Sequence, residues 1–277
     1  MEGYYEELAN DGDNARADGW RDRLEQWLRF EAVIRGLAIE DHQSVLDLGC
    51  GTGELLTYLG AERQGAYLGV DRFESSIGRA RKRGAGRFVS GDLFDIELEG
   101  EGRFDWAVAI GTLVDGEVAR DAASRRRSLN RLVDRLDDLG TMGWALVVLN
   151  QERLERDLVR SLEPCLRGAT VDELRQSLAR RGCTAWIDDA IVPTDLFVLV
   201  RRDGEPSMVG ERLKGAGAHS EVLRRARESW APEADEVVRF WVRAGRREQA
   251  QQALSKVAAT HRHRRLLEQR VQALKNS

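Results

Sequence analysis

Three glycines at alternate positions follow a short apolar segment, in an arrangement that could bind a ligand. Residues 45–54 read VLDLGCGTGE, with Gly49, Gly51 and Gly53 in the turn. Glycine lets the backbone turn sharply and leaves no β-carbons between the turn and a ligand. Helix-like residues follow at 54–59, and the free N–H groups that open a helix form an electropositive rim. In an α/β sheet, the ligand would lie at this carboxyl edge of the strands.

The residue after the last glycine separates the ligand classes that use such a turn. A P-loop requires Gly-Lys-Ser/Thr, whereas this chain has Gly53-Glu54-Leu55. A dinucleotide-binding turn that starts at Gly49 requires a small residue at position 54. Glu54 is large, and its charge would repel a pyrophosphate. We therefore expect a nucleoside ligand without phosphates.

The elements that would position this turn are short apolar segments alternating with helical patterns. We predict strands at 44–48, 66–70, 87–90, 106–110 and 144–149, and helices at 54–59, 74–82 and 122–136. This alternation indicates βαβ units in a parallel sheet that is buried on both faces.

A capping box then predicts a helix that begins after Thr170, has Glu173 in its first turn, and ends at Arg181 before Gly182. Strands at 184–188 and 196–201 follow. Their connection is too short for a parallel crossover, so these two strands should be antiparallel to each other. The predicted fold class is α/β, a doubly wound and mostly parallel seven-stranded sheet with an antiparallel last strand, an N-terminal helical cover and a C-terminal helical appendage.

Over residues 44–201, the chain resembles the class I S-adenosylmethionine-dependent methyltransferases. The resemblance rests on four segments in the family's order, VLDLGCGTG at 45–53, YLGVD at 67–71, SGDL at 90–93 and FDWAV at 104–108. It implies S-adenosylmethionine as the cofactor and S-adenosylhomocysteine as the product.

The resemblance also implies roles for the aspartates that end the predicted strands. Asp71 would accept hydrogen bonds from both ribose hydroxyls. Asp92 would accept one from the adenine amino group, with Leu93 offering a backbone N–H and an apolar wall. An ordinary turn aspartate is the alternative at both positions. Asp47 either orients the glycine loop or meets the ammonium group of the ligand, and a purely structural role is its alternative.

Further cofactor-binding residues follow from the same segments. Cys50, between two of the glycines, is interpreted as a small wall residue and not as a nucleophile. Arg72 flanks the adenine ring or is solvated. The family places the methionine moiety and the acceptor at the end of the fourth strand, which here is Ile110 with the two residues after it. The glycines at 49, 51 and 53 complete the predicted set.

Methyl transfer from a sulfonium depends mainly on alignment of acceptor, methyl group and sulfur, so proximity can supply most of the rate. None of the four histidines, at positions 42, 219, 261 and 263, is a good candidate for a base. His42 precedes the first strand, at the opposite sheet edge, and the others lie in the predicted linker or tail. Asp115 and Glu117 either touch an acceptor or are solvated loop charges. The catalytic residues stay unknown at this stage, and no metal site is expected.

The composition favours a cytoplasmic protein. No apolar run reaches the roughly 20 residues of a membrane span, and residues 1–13 lack the apolar core of a signal peptide. Cys50, Cys165 and Cys183 are far apart and suggest neither a disulfide framework nor a metal site.

We predict a Rossmann-like methyltransferase domain at 1–203, a glycine-containing linker at 204–219 and a helical extension at 220–277, with helices at 220–228, 233–244 and 246–273. Residues 1–43 form the N-terminal cover, which either packs on the sheet or contributes Tyr4, Tyr5 or Trp20 to the pocket. This cover and residues 151–169 would wall the acceptor pocket. Residues 204–277 hold 15 Lys/Arg against 9 Asp/Glu.

A small-molecule acceptor is the favoured partner, because the chain lacks the Asn/Asp-Pro-Pro-Tyr/Phe pattern of amino-nitrogen methylases and a Pro-Cys nucleophile. The alternatives are an RNA or protein methyltransferase that docks its substrate on the basic C-terminal helices, and a non-catalytic cofactor-binding protein or scaffold. The C-terminal helices could also form a homodimer.

Overall fold

The computed structural model describes residues 20, 22–84, 86–98, 102–112, 121–153, 168–192, 194–204 and 216–274. Contacts between residues divide the chain into two compact units, Met1–Lys214 and Gly215–Ser277. The division falls within the predicted linker 204–219, of which 205–215 lie outside the described residues. In the described part of the chain, no helix has the length and apolar character needed to span a membrane.

The strands of the first unit are β1 (Val45–Leu48), β2 (Tyr67–Asp71), β3 (Arg87–Ser90), β4 (Phe104–Ile110), β5 (Gly140–Leu149), β6 (Trp186–Asp188) and β7 (Asp195–Arg201). These described strands form one seven-stranded sheet in the order β3-β2-β1-β4-β5-β7-β6. Strands β1 to β5 pair in parallel, and β7 is antiparallel to both of its neighbours. The predicted fold class is therefore confirmed. The strand order reverses between β1 and β4, which is where open α/β sheets bind ligands.

The helices in the described part of the first unit are α1 (Arg23–Leu37), α2 (Glu54–Leu59), α3 (Glu74–Arg83), α4 (Ala122–Leu139) and α5 (Val171–Arg181). A 3₁₀ helix at Ala61–Ala66, which the sequence did not predict, leads into β2. The capping box of α5 is confirmed, since Thr170 and Glu173 each accept from the other's backbone N–H. Gly182 ends α5 in the left-handed conformation, with φ 65°.

The sheet is buried on both faces because helices cover both of them. On one face, Leu46 and Leu48 of β1 and Ala107 of β4 pack in a cluster with Leu132 and Leu136 of α4. On the other side, α1 packs against β5, β7 and α2. Asp22 caps α1, accepting a hydrogen bond from the backbone N–H of Glu25 at 2.9 Å. The described part of the predicted N-terminal cover is thus a helix packed on the sheet.

The second unit contains α6 (Ala216–Ser229), α7 (Ala234–Arg243), α8 (Arg247–Leu254) and α9 (Arg264–Ala273). Two predictions are corrected here. Helix α6 begins four residues earlier than predicted, because Ala218 and His219 are buried and continue its apolar face. The single helix predicted at 246–273 is two helices, because the chain leaves α8 at Ser255 and buries the β-branched Val257 in the connection.

Candidate functional site

The glycine turn after β1 is anchored to the end of β2 by backbone hydrogen bonds. The N–H groups of Gly49 and Cys50 both donate to the carbonyl of Val70, at 2.7 and 3.0 Å. Gly53 closes the turn by donating to the carbonyl of Cys50 at 3.0 Å. The turn therefore lies at the carboxyl edge of the parallel strands, as predicted.

The backbone conformation of the three glycines is the sharp turn for which glycine was predicted. Gly49, Gly51 and Gly53 all have positive φ values, of 83°, 52° and 78°. A β-carbon at Gly49 would lie 2.5 Å from Oγ1 of Thr112, and one at Gly53 would lie 2.8 Å from the Phe88 ring. At positions 49 and 53, glycine is thus required both by the backbone conformation and by packing inside the protein.

Asp71 joins the turn to the start of the next helix. Its Oδ2 accepts from the N–H of Gly51 at 2.9 Å, and its Oδ1 accepts from the N–H of Phe73 at 2.9 Å. Burial raises the pKa of Asp71 above its ordinary value, and these two backbone hydrogen bonds oppose that rise. A carboxylate offers about four acceptor positions, so two positions can still receive hydroxyl groups beside the two bonds found among the described residues.

Asp47 is buried in β1, two residues before Gly49, and bonds to a tyrosine of β2. Its Oδ2 accepts a hydrogen bond of 2.6 Å from the hydroxyl of Tyr67. Burial raises the pKa of Asp47 to about 7, the Tyr67 hydrogen bond lowers it, and the nearby charge of Asp71 raises it. This contact fits the structural alternative given for Asp47, because the carboxyl group bonds to Tyr67 of the neighbouring strand β2; its two other roles stay predictions.

Glu54 turns into the protein and not toward a ligand, which corrects one step of the sequence argument. Its side chain is 1% exposed and forms ion pairs with Arg23 at 3.0 Å and Arg83 at 2.5 Å. The Trp27 indole N–H donates to it at 3.3 Å. The charge of Glu54 is therefore compensated and would not repel a pyrophosphate. Its size still departs from the small residue of a dinucleotide turn.

The remaining predicted cofactor residues lie at the same sheet edge. Asp92 is exposed, and its Oδ1 accepts from the N–H of Phe94 at 2.8 Å. Leu93 is half-buried and packs against the core. Cys50 is buried in the turn. Arg72 is exposed, with its guanidinium 5.2 Å from the centroid of the neighbouring Phe73 ring.

The end of β4 lies directly beside the glycine turn. Ile110 is buried, and Gly111 is held to β5 by donating to the carbonyl of Val147 at 2.9 Å. Thr112 donates from Oγ1 to the carbonyl of Leu48 at 2.9 Å. A β-carbon at Gly111 would lie 2.3 Å from Cζ2 of Trp20, so the indole ring packs directly on this residue.

A buried ion pair behind Trp20 was missed in the sequence. Arg29 of α1 donates to both carboxylate oxygens of Asp195, from Nε at 3.2 Å and from Nη2 at 2.6 Å. Its guanidinium carbon lies 4.6 Å from the centroid of the Trp20 ring. Asp195 pairs with Leu149 at the end of β5, at the same sheet edge as the glycine turn. The sequence shows only a charged residue in the predicted N-terminal cover and another directly before the predicted strand 196–201.

The histidines are placed partly as predicted. His42 is exposed beside Glu40, before β1. His219 is buried in α6 against the rings of Phe240 and Trp241, and not in a linker. His261 and His263 lie in the turns before α9, with ring centroids 5.8 Å apart, and not within one helix.

Several predicted residues lie outside the described part of the chain. They are Tyr4, Tyr5, Asp115, Glu117 and most of the predicted pocket wall at 151–169. Among the residues that are described, no group of three or more His, Cys, Asp or Glu side chains could hold a metal ion.

A family model for a methyltransferase domain matches residues 45–134. The match begins at β1, runs through the glycine turn, Asp71 and Asp92, and ends within α4. It covers less than half of the chain. No curated protein matches the sequence.

Solved structures share the fold at low identity. An O-methyltransferase family protein from Burkholderia thailandensis aligns with a TM-score of 0.51 and 16% identity, over 72% of this chain and 62% of that one. A complex of the Haloferax volcanii Trm112 methyltransferase activator with a methyltransferase aligns with a TM-score of 0.50 and 16% identity, over 72% of this chain and 96% of that one. Magnesium protoporphyrin IX methyltransferase from Synechocystis PCC 6803, with bound S-adenosylmethionine, aligns with a TM-score of 0.46 and 15% identity, over 72% of this chain and 90% of that one.

The sheet order and the matched domain agree with each other. The fold is the Rossmann-like fold of the class I methyltransferases. Together with the match over 45–134, this fold supports the prediction that the chain is an S-adenosylmethionine-dependent methyltransferase.

Proposed function

We propose that this enzyme transfers the methyl group of S-adenosylmethionine to a small-molecule acceptor by in-line displacement. The observation that carries the proposal is the position of Asp71. Its carboxylate is held by the N–H groups of Gly51 and Phe73, at the end of β2 and against the glycine turn. An anionic acceptor in that place suits the paired hydroxyls of a ribose.

In this proposal, the other residues of the sheet edge bind the rest of the cofactor. Asp92 accepts from the adenine amino group, with Leu93 as an apolar wall and Arg72 beside the ring. The glycine turn with Cys50 borders the ribose and the methionine moiety, whose far end reaches Ile110. Asp47 supports the site indirectly, because its carboxyl group joins β1 to Tyr67 of β2.

The reaction requires alignment more than acid–base chemistry. A lone pair of the acceptor forms a bond to the methyl carbon while the carbon–sulfur bond breaks and its electrons pass to sulfur, which gives S-adenosylhomocysteine. The acceptor's proton passes to water. Holding donor and acceptor in line can supply most of the rate, and a site closed to water assists a reaction in which charge disperses.

A small-molecule acceptor is supported by the segment after β4, which lacks the patterns of nucleobase methylases. We further propose residues 1–203 as the catalytic domain, 204–219 as the linker and 220–277 as a helical extension that could mediate homodimerisation. The three separated cysteines favour the cytoplasm as its location.

Two measurements on the full chain test this function. Calorimetric titration with S-adenosylmethionine and with S-adenosylhomocysteine should show binding of both, and absence of binding would refute the cofactor. The chain is then incubated with methyl-labelled cofactor and with metabolite, RNA or protein fractions of a cell extract. Label should enter the metabolite fraction. Label only in RNA or protein would refute the acceptor class and support the alternative in which the basic helices dock a macromolecule.

A further inference from the structure

We infer that Trp20 is a wall residue of the methyl-transfer site, which contacts the methionine end of the bound cofactor and is held in place by the Arg29–Asp195 ion pair. This inference rests on the proposed function, because it assumes that S-adenosylmethionine binds at the glycine turn. It adds a residue that lies outside the matched segment 45–134.

The Trp20 ring contacts the backbone at the end of β4. Gly111 has a φ of 79°, and the space that its β-carbon would fill is occupied by Cζ2 and Cη2 of the Trp20 ring, at 2.3 and 2.7 Å. The benzene edge of the indole thus packs on the backbone of the residue that follows β4. As a residue, Trp20 is only half-buried, so the packing on Gly111 does not enclose it.

The residue after Gly111 extends this contact to the glycine turn. Thr112, next to Gly111, donates to the carbonyl of Leu48 at 2.9 Å. The same Thr112 side chain fills the space beside Gly49. Trp20, Gly111, Thr112 and Gly49 therefore form a continuous row of contacts across the switch point between β1 and β4. A ligand that lies over the turn and extends toward β4 would reach the indole at the end of this row.

A buried ion pair supports the Trp20 ring from behind. Arg29 and Asp195 have side chains that are 4% and 2% exposed, and they form a bidentate pair. Arg29 also donates to the carbonyl of Glu25 at 2.8 Å, and Thr194 donates to Asp195 at 2.6 Å. With all these partners, the guanidinium is fixed under the indole as a cation–π platform.

This arrangement has a chemical use at a sulfonium centre. A rigid aromatic ring excludes water from the place where the charge disperses during displacement. It also limits the positions open to the methyl group and the acceptor, which favours the in-line geometry. Trp20 can do both without any proton transfer, which fits a reaction driven by positioning.

The test uses S-adenosylmethionine as the probe and the full chain as the protein. The variants are Trp20→Ala and Trp20→Phe. The matched control is Trp186→Phe, since Trp186 is also half-buried but lies on β6, the outer strand of the sheet. Affinity is measured by calorimetry, and the change in tryptophan emission on binding is recorded for each protein.

We expect Trp20→Ala to weaken S-adenosylmethionine binding about tenfold, as loss of an aromatic contact does. Trp20→Phe should keep the affinity within about threefold, because a ring remains. The emission change on binding should be lost in Trp20→Phe and kept in Trp186→Phe, a difference that a role confined to folding would not produce.

Two results would overturn the inference, and either is sufficient. One is a full emission change in Trp20→Phe, and the other is wild-type affinity in Trp20→Ala. If Trp20→Ala does not fold, the emission of Trp20→Phe decides alone. Failure of the wild-type chain to bind S-adenosylmethionine would instead refute the proposed function, and the inference with it, and the first titration shows this before any variant is made.

Discussion

Removal of the Asp195 carboxylate should strongly destabilise the first unit. Asp195 is 2% exposed and receives two hydrogen bonds from the buried guanidinium of Arg29, at 3.2 and 2.6 Å, and one from Thr194 at 2.6 Å. Asp195→Ala leaves the positive charge of Arg29 buried without its counter-ion. Breaking a buried pair in this way costs about 3–5 kcal/mol.

This cost is measurable as a change in thermal stability. In a domain of 150–250 residues, 1 kcal/mol corresponds to about 2–4 °C in Tm, so the variant should melt roughly 6–20 °C below the wild type. Scanning calorimetry of the full chain gives the shift. The control is Asp95→Ala, which removes a 2.7 Å pair with Arg131 whose side chains are 73% and 54% exposed. An exposed pair contributes about 1 kcal/mol at most.

A double variant separates the loss of a counter-ion from a general loss of packing. Arg29→Met combined with Asp195→Leu removes both charges, and it should recover much of the stability lost in Asp195→Ala, because no unpaired charge stays buried. Equal melting temperatures for Asp195→Ala and Asp95→Ala would refute the reasoning. So would a double variant less stable than Asp195→Ala alone.

Three further perturbations test other parts of the site and fold. Burial raises the pKa of Asp47 from 3.8 to about 7, so between these pH values the folded state binds one proton more than the unfolded state. The free energy of unfolding should therefore fall as the pH rises from about 4 to about 7. Asp47→Asn should flatten this slope in urea titrations. Glu54→Gln should lower the unfolding free energy by about 1–3 kcal/mol, because Arg23 and Arg83 lose a buried counter-charge; an equal effect of Glu74→Gln, whose ion pair is exposed, would contradict this. Thr170→Ala should cost about 1 kcal/mol through loss of the α5 cap, and no change in the urea midpoint would rule that role out.

The sequence predicted most of the elements because their signals are local. Strand β3 and helices α2 and α5 have the predicted bounds, and the ends of α5 follow from a capping box and one glycine. The apolar strands predicted a sheet buried on both faces, and the short connection before β7 predicted its reversed direction.

The supporting contacts of the site could not be predicted, since their partners are distant in sequence. Arg29 and Asp195 are 166 residues apart, and Arg23 and Glu54 are 31 apart. Neither periodicity nor spacing in the sequence predicts which of these distant charges form ion pairs. The role of Glu54 was misjudged for this reason, because its arginine partners are visible only once the helices pack. The packing of Thr112 beside Gly49 and of Phe88 beside Gly53 is likewise a contact between distant residues that the sequence does not show.

Two of the helix bounds predicted for the second unit were wrong because they were inferred from composition. Gly215 and Gly217 suggested a linker, yet Ala218 and His219 are buried in α6. The histidines at 261 and 263 were predicted to lie in one long helix, but the chain forms turns there before α9. Glycine frequency and charge density are weak local signals, and tertiary burial overrides them.

The contact between Asp71 and the ribose can be measured directly with a thermodynamic cycle. Binding of S-adenosylhomocysteine and of its 2′-deoxy analogue is measured by calorimetry for the wild-type chain and for Asp71→Ala. The wild type should prefer the compound with the 2′-hydroxyl, and Asp71→Ala should lose that preference, with a coupling energy of about 1–3 kcal/mol. Because the cycle subtracts any effect of Asp71 on the glycine turn itself, a coupling energy within about 0.3 kcal/mol of zero would contradict the assignment of Asp71 to the ribose.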